Sequence, residues 1–303
     1  YNVASGYQSL YNNTTGDYNV ASGYRSLFSN TTGSGNVAIG FSALKANTSG
    51  LINTAVGYES LLSNTTGNFN TAIGYDSLEQ NTSGSANTAL GLEAMEKNTT
   101  GNNNTAVGAQ ALESNTEGHW NSSLGTNALF SNTTGEYNSA LGGESLYSNT
   151  TGDYNSTFGY RSLYSNTTGQ SNSAMGYKSL FSTTTGSNNS GFGLQALYSN
   201  TTGSSNSALG YNSLFSNTTG VDNIGMGAET LYSNTTGNYN SAAGTSTLFN
   251  NTTGTGNSGM GYRALYTNTT GDYKLMATIT QGTITPGKTS MFSVGATSKQ
   301  ENL

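Results

Sequence analysis

Residues Asn138 to Tyr154 read NSALGGESLYSNTTGDY, and the same pattern fills every 17-residue window from Asn2 to Tyr273. Sixteen copies follow one another without insertion or deletion. Their consensus is N-[ST]-A-φ-G-Y-x-S-L-[YF]-S-N-T-T-G-x-x, where φ is mostly Ile, Val, Leu, Met or Phe. A fixed short period is typical of solenoids, in which each unit packs only on its neighbours. We therefore predict an all-β fold, a β-solenoid (β-roll) of sixteen 17-residue coils that forms an elongated rod.

We number the positions of the repeat 1 to 17 from its first Asn. Asn at position 1, Gly at positions 5 and 15, and Thr at position 13 never vary, while position 9 is Leu except at Met95 and position 12 is Asn except at Thr183. We expect position 9 to be interior. Positions 11 to 15, S-N-T-T-G, are expected to form a corner in which Gly at position 15 has a positive φ. Coils stacked at about 4.7–4.9 Å would allow Asn amide ladders and give a rod of roughly 75–80 Å.

Positions 1 to 6 alternate in character, as in NTAIGY at residues 70–75. This alternation predicts a short β-strand with Thr, Ile and Tyr on one face and Asn, Ala and Gly on the other. If the face with Asn, Ala and Gly is interior, the face with the apolar residue of position 4 is free to meet another chain. The opposite assignment, with the apolar residue of position 4 in the interior, fits the same pattern, so the sequence leaves both assignments open.

Composition favours an ordered chain without catalytic chemistry. Among the 303 residues, 33% are apolar, but 20 are Tyr and 10 are Phe, and only 8% are charged, which is unlike disordered protein. The chain has one His and no Cys, so disulfides are excluded and we predict that it is not an enzyme. The net charge of −6 argues against binding nucleic-acid phosphates. No run reaches about 18 apolar residues, so membrane insertion is not expected.

The core motif N-[ST]-A-[IVL]-G, present at residues 70–74 and 87–91, resembles the head repeat of YadA-like trimeric autotransporter adhesins. Similar N-T-T-G-containing repeats occur in related bacterial surface proteins and phage tail-fibre proteins. The resemblance covers residues 2–273, although the period of 17 is longer than the usual family repeat. It implies a left-handed β-roll, assembly of three chains into a fibre, and a surface that binds host matrix or receptors.

Position 10 is aromatic in nine successive coils, which predicts a continuous stripe along the rod. We interpret the stripe as ladder stacking or a subunit interface, with a glycan or receptor platform as the alternative. Its residues are Phe130, Tyr147, Tyr164, Phe181, Tyr198, Phe215, Tyr232, Phe249 and Tyr266.

Earlier coils carry carboxylates at positions 7 and 10. At coil spacing these like charges either remain solvated or hold a cation such as Ca²⁺ through oxygen ligands. We favour a solvated surface and predict no metal and no cofactor, because Lys45 and Lys97 lie nearby. The residues of this acidic group are Glu59, Asp76, Glu79, Glu93, Glu96 and Glu113.

The sole tryptophan, Trp120, lies beside His119 in the corner of one coil. We interpret it as a local plug, with a binding hot spot as the alternative. Asn-Thr-Thr glycosylation sequons recur in most coils, and we interpret them as corner chemistry.

Residues 274–303 depart from the period and predict two β segments, LMATITQ and TSMFSVGA, around a Thr285–Lys288 turn. They would form a cap, a docking tail or the start of a further domain. The repeats hold 6 basic and 14 acidic residues, a balance of −8, and the tail holds 3 basic and 1 acidic, a balance of +2. We expect the tail to pair with the first coil of another chain, with folding back onto its own last coil as the alternative. Because Tyr1 occupies position 17, the chain is expected to begin inside a longer polypeptide.

These features predict a structural and adhesive extracellular fibre on a bacterial surface or virion. The chain's main partner would be itself, as a trimer or an end-to-end filament, with a host glycan or surface receptor as a further partner. The alternative function is ice binding by Thr and Asn arrays. It is less favoured because the threonines at positions 13 and 14 are adjacent and followed by Gly, which indicates a bend.

Overall fold

The computed structural model describes residues 1–277, which contain seventeen β-strands and no helix. Each strand pairs in parallel with the strand of the following coil, and identical repeat positions face each other, as in Ser156 with Ser173. The predicted all-β solenoid is confirmed. The strands are β1 Val3–Ser5, β2 Val20–Ser22, β3 Val37–Ile39, β4 Thr54–Val56, β5 Thr71–Ile73, β6 Thr88–Leu90, β7 Thr105–Val107, β8 Ser122–Leu124, β9 Ser139–Leu141, β10 Ser156–Phe158, β11 Ser173–Met175, β12 Ser190–Phe192, β13 Ser207–Leu209, β14 Ile224–Met226, β15 Ser241–Ala243, β16 Ser258–Met260 and β17 Leu275–Ala277.

Each strand covers only positions 2 to 4, which is shorter than the alternation suggested. The chain leaves the strand at the position-5 glycine, whose φ lies between 109° and 143° in all sixteen coils. A Cβ atom on Gly74 would also lie 2.2 Å from the carbonyl oxygen of Gly91 in the next coil. Only glycine meets both requirements, which explains why this position is invariant.

The interior of the solenoid is built from the small face of the strand. Ala72 at position 3, Leu163 at position 9 and Asn70 at position 1 are all fully buried. The apolar residue at position 4 therefore points outward, which resolves the alternative that the sequence left open. The expected interior location of position 9 is confirmed.

Two Asn ladders run through the interior and meet at the position-15 carbonyl of each coil except those of Gly186 and Gly271. At position 12, Asn166 Nδ2 donates to Asn149 Oδ1 at 2.7 Å and to Gly169 O at 3.0 Å. At position 1, Asn155 Nδ2 donates to the same Gly169 oxygen at 2.9 Å, and the Asn155 backbone N–H donates to Asn138 Oδ1 at 3.0 Å. The predicted amide ladders are present, and they satisfy buried backbone groups as well as each other.

The expected positive φ at position 15 is wrong. This glycine is required because its neighbours approach closely: a Cβ on Gly135 would lie 2.4 Å from Asn132 Oδ1 and 2.6 Å from Gly152 O. Positive φ values of 50–59° occur instead at the non-glycine residues of positions 7, 9 and 17, including Leu163. Such residues are disfavoured there, so the buried core and the ladders must hold them in place.

Strand β17 extends the sheet beyond the last repeat. It pairs in register with β16 of the same chain, and the Lys274 backbone N–H donates to Asn257 Oδ1 at 2.8 Å, continuing the position-1 ladder. The remainder of the predicted tail, residues 278–303, lies outside the described residues. Within residues 1–277, no helix has the length and apolar character needed to cross a membrane.

Candidate functional site

The most extensive apolar surface is the outer face of the sheet, formed by positions 2, 4 and 6 and called here the outer face. Large apolar side chains line position 4 over most of its length, and Phe158 and Leu209 are 57% and 55% exposed. Sixteen coils at about 4.8 Å, each contributing roughly 13 Å of strand, give a face of about 1,000 Å². The largest apolar patch of a typical monomer is about 300–600 Å². Position 2 contributes polar Ser and Thr to this area, and the row of apolar side chains that is unbroken from Ile39 to Met226 indicates an interaction site.

The outer face has a ridge beside a groove. Between Ser139 and Met226, where position 2 is serine except at Ile224, the small residue leaves room next to the large residue at position 4, and the groove follows the ridge over this part of the rod. One stretch of this groove is lined by Ser139, Leu141, Ser156, Thr157, Phe158, Ser173, Ala174, Met175 and Phe192. A second stretch is lined by Ser190, Phe192, Ser207, Ala208, Leu209, Ile224 and Met226.

The nine aromatic residues at position 10, from Phe130 to Tyr266, stack in one continuous row. Successive ring centroids are 5.0–5.3 Å apart with interplanar angles of 3–16°. Each internal ring is therefore covered on both faces by its neighbours. A ligand that stacks on a ring face has no free face within this row, so the geometry favours ladder stacking over a ligand platform.

A second aromatic row lies at position 6, where sequence reasoning did not anticipate one although the consensus residue is Tyr. Its first five rings, from Tyr7 to Tyr75, stack at 5.0–5.4 Å. Position 7 lies between the two rows. The Arg161 guanidinium, for example, is 5.1 Å from the centroid of the Tyr160 ring and 5.4 Å from that of the Tyr164 ring. This geometry allows cation–π contact on both sides.

The acidic group at positions 7 and 10 is half-buried, apart from Glu113, which is buried. Burial, followed by the Glu59 carboxylate, raises the pKa of Asp76. Burial also raises the pKa of Glu79, followed by the charge of Asp76, and it raises the pKa of Glu96, followed by the charge of Glu113.

Two carboxylates of the acidic group are paired with neighbouring side chains. Lys97 pairs with Glu113, and Gln110 donates to Glu93. Within residues 1–277, no three His, Asp or Glu side chains are grouped so that they could hold a metal ion. We therefore propose no cation site here.

Trp120 is not a plug, because its side chain is 54% exposed. Position 17 points outward, and the Trp120 ring stacks on Tyr137 of the next coil with centroids 6.4 Å apart. His119 faces the preceding coil, where its Nδ1 accepts the backbone N–H of Asn102 at 2.8 Å. The interpretation as a local plug is corrected, since a corner residue in this fold has no cavity to fill.

The threonines at positions 13 and 14 lie at a bend in every coil. The hydroxyl at position 13 is already used, as in Thr167 Oγ1, which donates to the Thr184 carbonyl of the next coil at 3.1 Å. Only the position-14 row is free, so the flat pair of Thr rows expected of an ice-binding face does not form here.

Comparison of the chain with family models, curated proteins and solved structures found no match. The likeness to YadA-like head repeats therefore stays a prediction from the motif.

Proposed function

We propose that this chain is a structural and adhesive extracellular fibre protein of a bacterial surface or virion, which associates with copies of itself along the outer face. The observation that carries the proposal is the apolar ridge at position 4, which is unbroken from Ile39 to Met226 and is mostly exposed. Burying such a face is favourable at about 25 cal/mol per Å² of apolar surface.

A second copy of the chain is the occupant that best fits this face. Any partner that makes regular contacts along the ridge must repeat at the spacing of the coils, and another copy has that spacing. The face of about 1,000 Å² is close to the roughly 800 Å² per partner of a standard stable interface. The ridge of one copy can lie in the serine groove of another, as shape complementarity requires. Closed assembly about an axis along the rod, such as a trimer, would cover the face in every chain.

Sedimentation velocity on matched variants tests this proposal. The double variant Phe158→Lys, Leu209→Lys places two charges on the outer face, and we expect it to sediment as a monomer of about 31.3 kDa with an unchanged circular dichroism spectrum. The control Thr151→Lys, Thr202→Lys places the same charges at the exposed position 14 and should assemble like the wild type. A wild-type monomer at tens of micromolar, or a double variant that still assembles, would contradict the proposal.

Ice binding is the alternative function. Of the two Thr rows at the corner, only the position-14 row is available for it, because the position-13 hydroxyls are bonded to the backbone. Thermal hysteresis of the purified protein separates the two functions, since a fibre protein is expected to show none.

A further inference from the structure

Trp120 begins a short aromatic stack at position 17 and has one uncovered ring face. Its ring lies 6.4 Å from Tyr137 at 4°, and Tyr137 lies 5.1 Å from Tyr154 at 3°. In the preceding coil the same position is Asn103, so among the described residues no ring covers the indole on that side. An exposed tryptophan with an open face offers a ligand a large apolar surface, and tryptophan is enriched among binding hot spots.

The open face looks into a notch in the position-17 row. The notch follows from residue size, since the position-17 side chains between Trp120 and the exposed Phe69 are the short Asn103 and Ala86. Phe69 and Trp120 are three coils apart, a separation of roughly 14–15 Å at the spacing of paired strands. The notch is therefore walled by two aromatic side chains and floored by short ones.

Two polar side chains occupy neighbouring places: His119 precedes Trp120 in the chain, and Asn103 holds position 17 of the preceding coil. Because His119 Nδ1 accepts the Asn102 backbone N–H, the neutral ring carries its proton on Nε2, which is left as a donor. His119 reaches toward the preceding coil, the same side as the open face. The Asn103 side-chain amide makes no hydrogen bond within the described part of the chain, so it offers both a donor and an acceptor.

We infer that this notch binds a neutral carbohydrate, an inference that rests on the adhesive part of the proposed function. The aromatic walls suit the C–H faces of sugar rings, and the amide and imidazole groups suit their hydroxyls, which is the usual make-up of a small-molecule site. The residues of the preceding coil at positions 16 and 17 are Asn102 and Asn103, so no carboxylate there would favour a cationic ligand. Position 17 is not one of the positions that form the outer face.

Trp120 is the only tryptophan, so its fluorescence reports on the notch directly. Wild-type protein would be titrated with neutral tetrasaccharides of glucose, galactose, mannose and N-acetylglucosamine, and with choline as the cationic probe. We expect a saturable change in emission with at least one saccharide. A response to choline alone, or to none of the saccharides, would overturn the inference.

Variants identify the residues involved. Glycine occurs naturally at position 17, as Gly35 and Gly256, and tolerates the positive φ there, so Asn103→Gly and Trp120→Gly should fold. Asn103→Gly should weaken saccharide binding about 3- to 10-fold, the loss of one hydrogen bond. Trp120→Gly should abolish retention of the protein on the immobilised saccharide, and Tyr239→Gly in a distant coil should not affect it. Binding that survives both Asn103→Gly and Trp120→Gly would also contradict the inference.

Sedimentation of the same samples keeps the two proposals separate. An assembled Trp120→Gly protein without saccharide binding is the expected result. If the assembled wild type binds no saccharide, the carbohydrate inference fails while the fibre proposal stands. If the wild type is monomeric but binds saccharide, the fibre proposal fails while the carbohydrate inference stands.

Discussion

Asn200 Nδ2 lies 3.4 Å from Thr183 Oγ1, whereas the next step of the same ladder, Asn217 Nδ2 to Asn200 Oδ1, measures 2.8 Å. Thr183 interrupts the position-12 Asn ladder, and Asn166 Oδ1 below it is buried without a hydrogen-bond partner. Leaving a buried polar atom unpaired costs about 1–3 kcal/mol. The interruption is therefore a local weak point in the solenoid.

Thr183→Asn should repair this weak point. The new amide would donate to Asn166 Oδ1 and to Gly186 O and accept from Asn200, so we expect about 1–3 kcal/mol of local stabilisation, measured by native-state hydrogen exchange of the coils around position 183. The matched variant Asn149→Thr creates the same interruption elsewhere and should speed exchange there. Equal exchange in Thr183→Asn and wild type would show that the ladder does not contribute to stability.

Substitution by alanine should have opposite effects on stability at Gly135 and at Gly143. A Cβ at Gly135 would meet Asn132 Oδ1 at 2.4 Å and backbone oxygen at 2.6 Å, so Gly135→Ala must distort the ladder and lower the melting temperature. At Gly143 the nearest atom, on the Tyr160 ring, is 3.5 Å away, so Gly143→Ala should be neutral or gain about 0.4–1 kcal/mol by restricting the unfolded chain. Similar melting of the two variants would refute the close-approach explanation for position 15.

Leu163→Asp should unfold its coil, because the side chain is fully buried and an unpaired carboxylate in this narrow core is costly. Leu163→Met is the control, since Met95 occupies the same position naturally, and it should cost less than about 1.5 kcal/mol. Limited proteolysis would detect new cleavage near residue 163 in the Asp variant only. Unchanged protease resistance would mean that position 9 is not part of the core.

The acidic group should make the protein more stable at mildly acidic pH. Asp76, Glu79 and Glu96 have pKa values raised in the folded state, so the native protein binds protons that the unfolded chain has released. Stability contributed by these groups therefore falls as pH rises through the raised pKa values and is regained as pH is lowered from 7 toward the ordinary carboxyl range of about 4.

Melting curves between pH 7 and 4.5 test this sign. The variant Asp76→Asn, Glu79→Gln, Glu96→Gln should melt above wild type at pH 7, and the difference should shrink on acidification. Glu117→Gln, outside the acidic group, is the control and should track the wild type. A triple variant that is less stable than wild type at neutral pH would show that these carboxylates stabilise the fold.

The sequence predicted much of this fold because every coil repeats the same constraint. The period alone places Asn149 above Asn132 and Tyr147 above Phe130, so the ladder and the aromatic stack follow from strand spacing. The interior role of Leu163 follows from its hydrophobicity.

Backbone conformation could not be predicted in the same way. Invariance of a glycine is equally consistent with a positive φ, as at Gly74, and with close approach of neighbours, as at Gly135. Leu163 takes a positive φ against its own preference, because packing in the coil overrides it. The exposure of Trp120 depends on the outward direction of position 17, for which the variable residues at that position gave no pattern.

Mass per unit length of unstained fibres in scanning transmission electron microscopy tests the self-association of the outer face most directly. One chain contributes its 31.3 kDa over a rod of roughly 75–80 Å. Copies packed side by side along the outer face predict a mass per length of two or more times this single-chain value. Fibres or rods with the single-chain value would show that the outer face is not covered by another copy and would contradict the account.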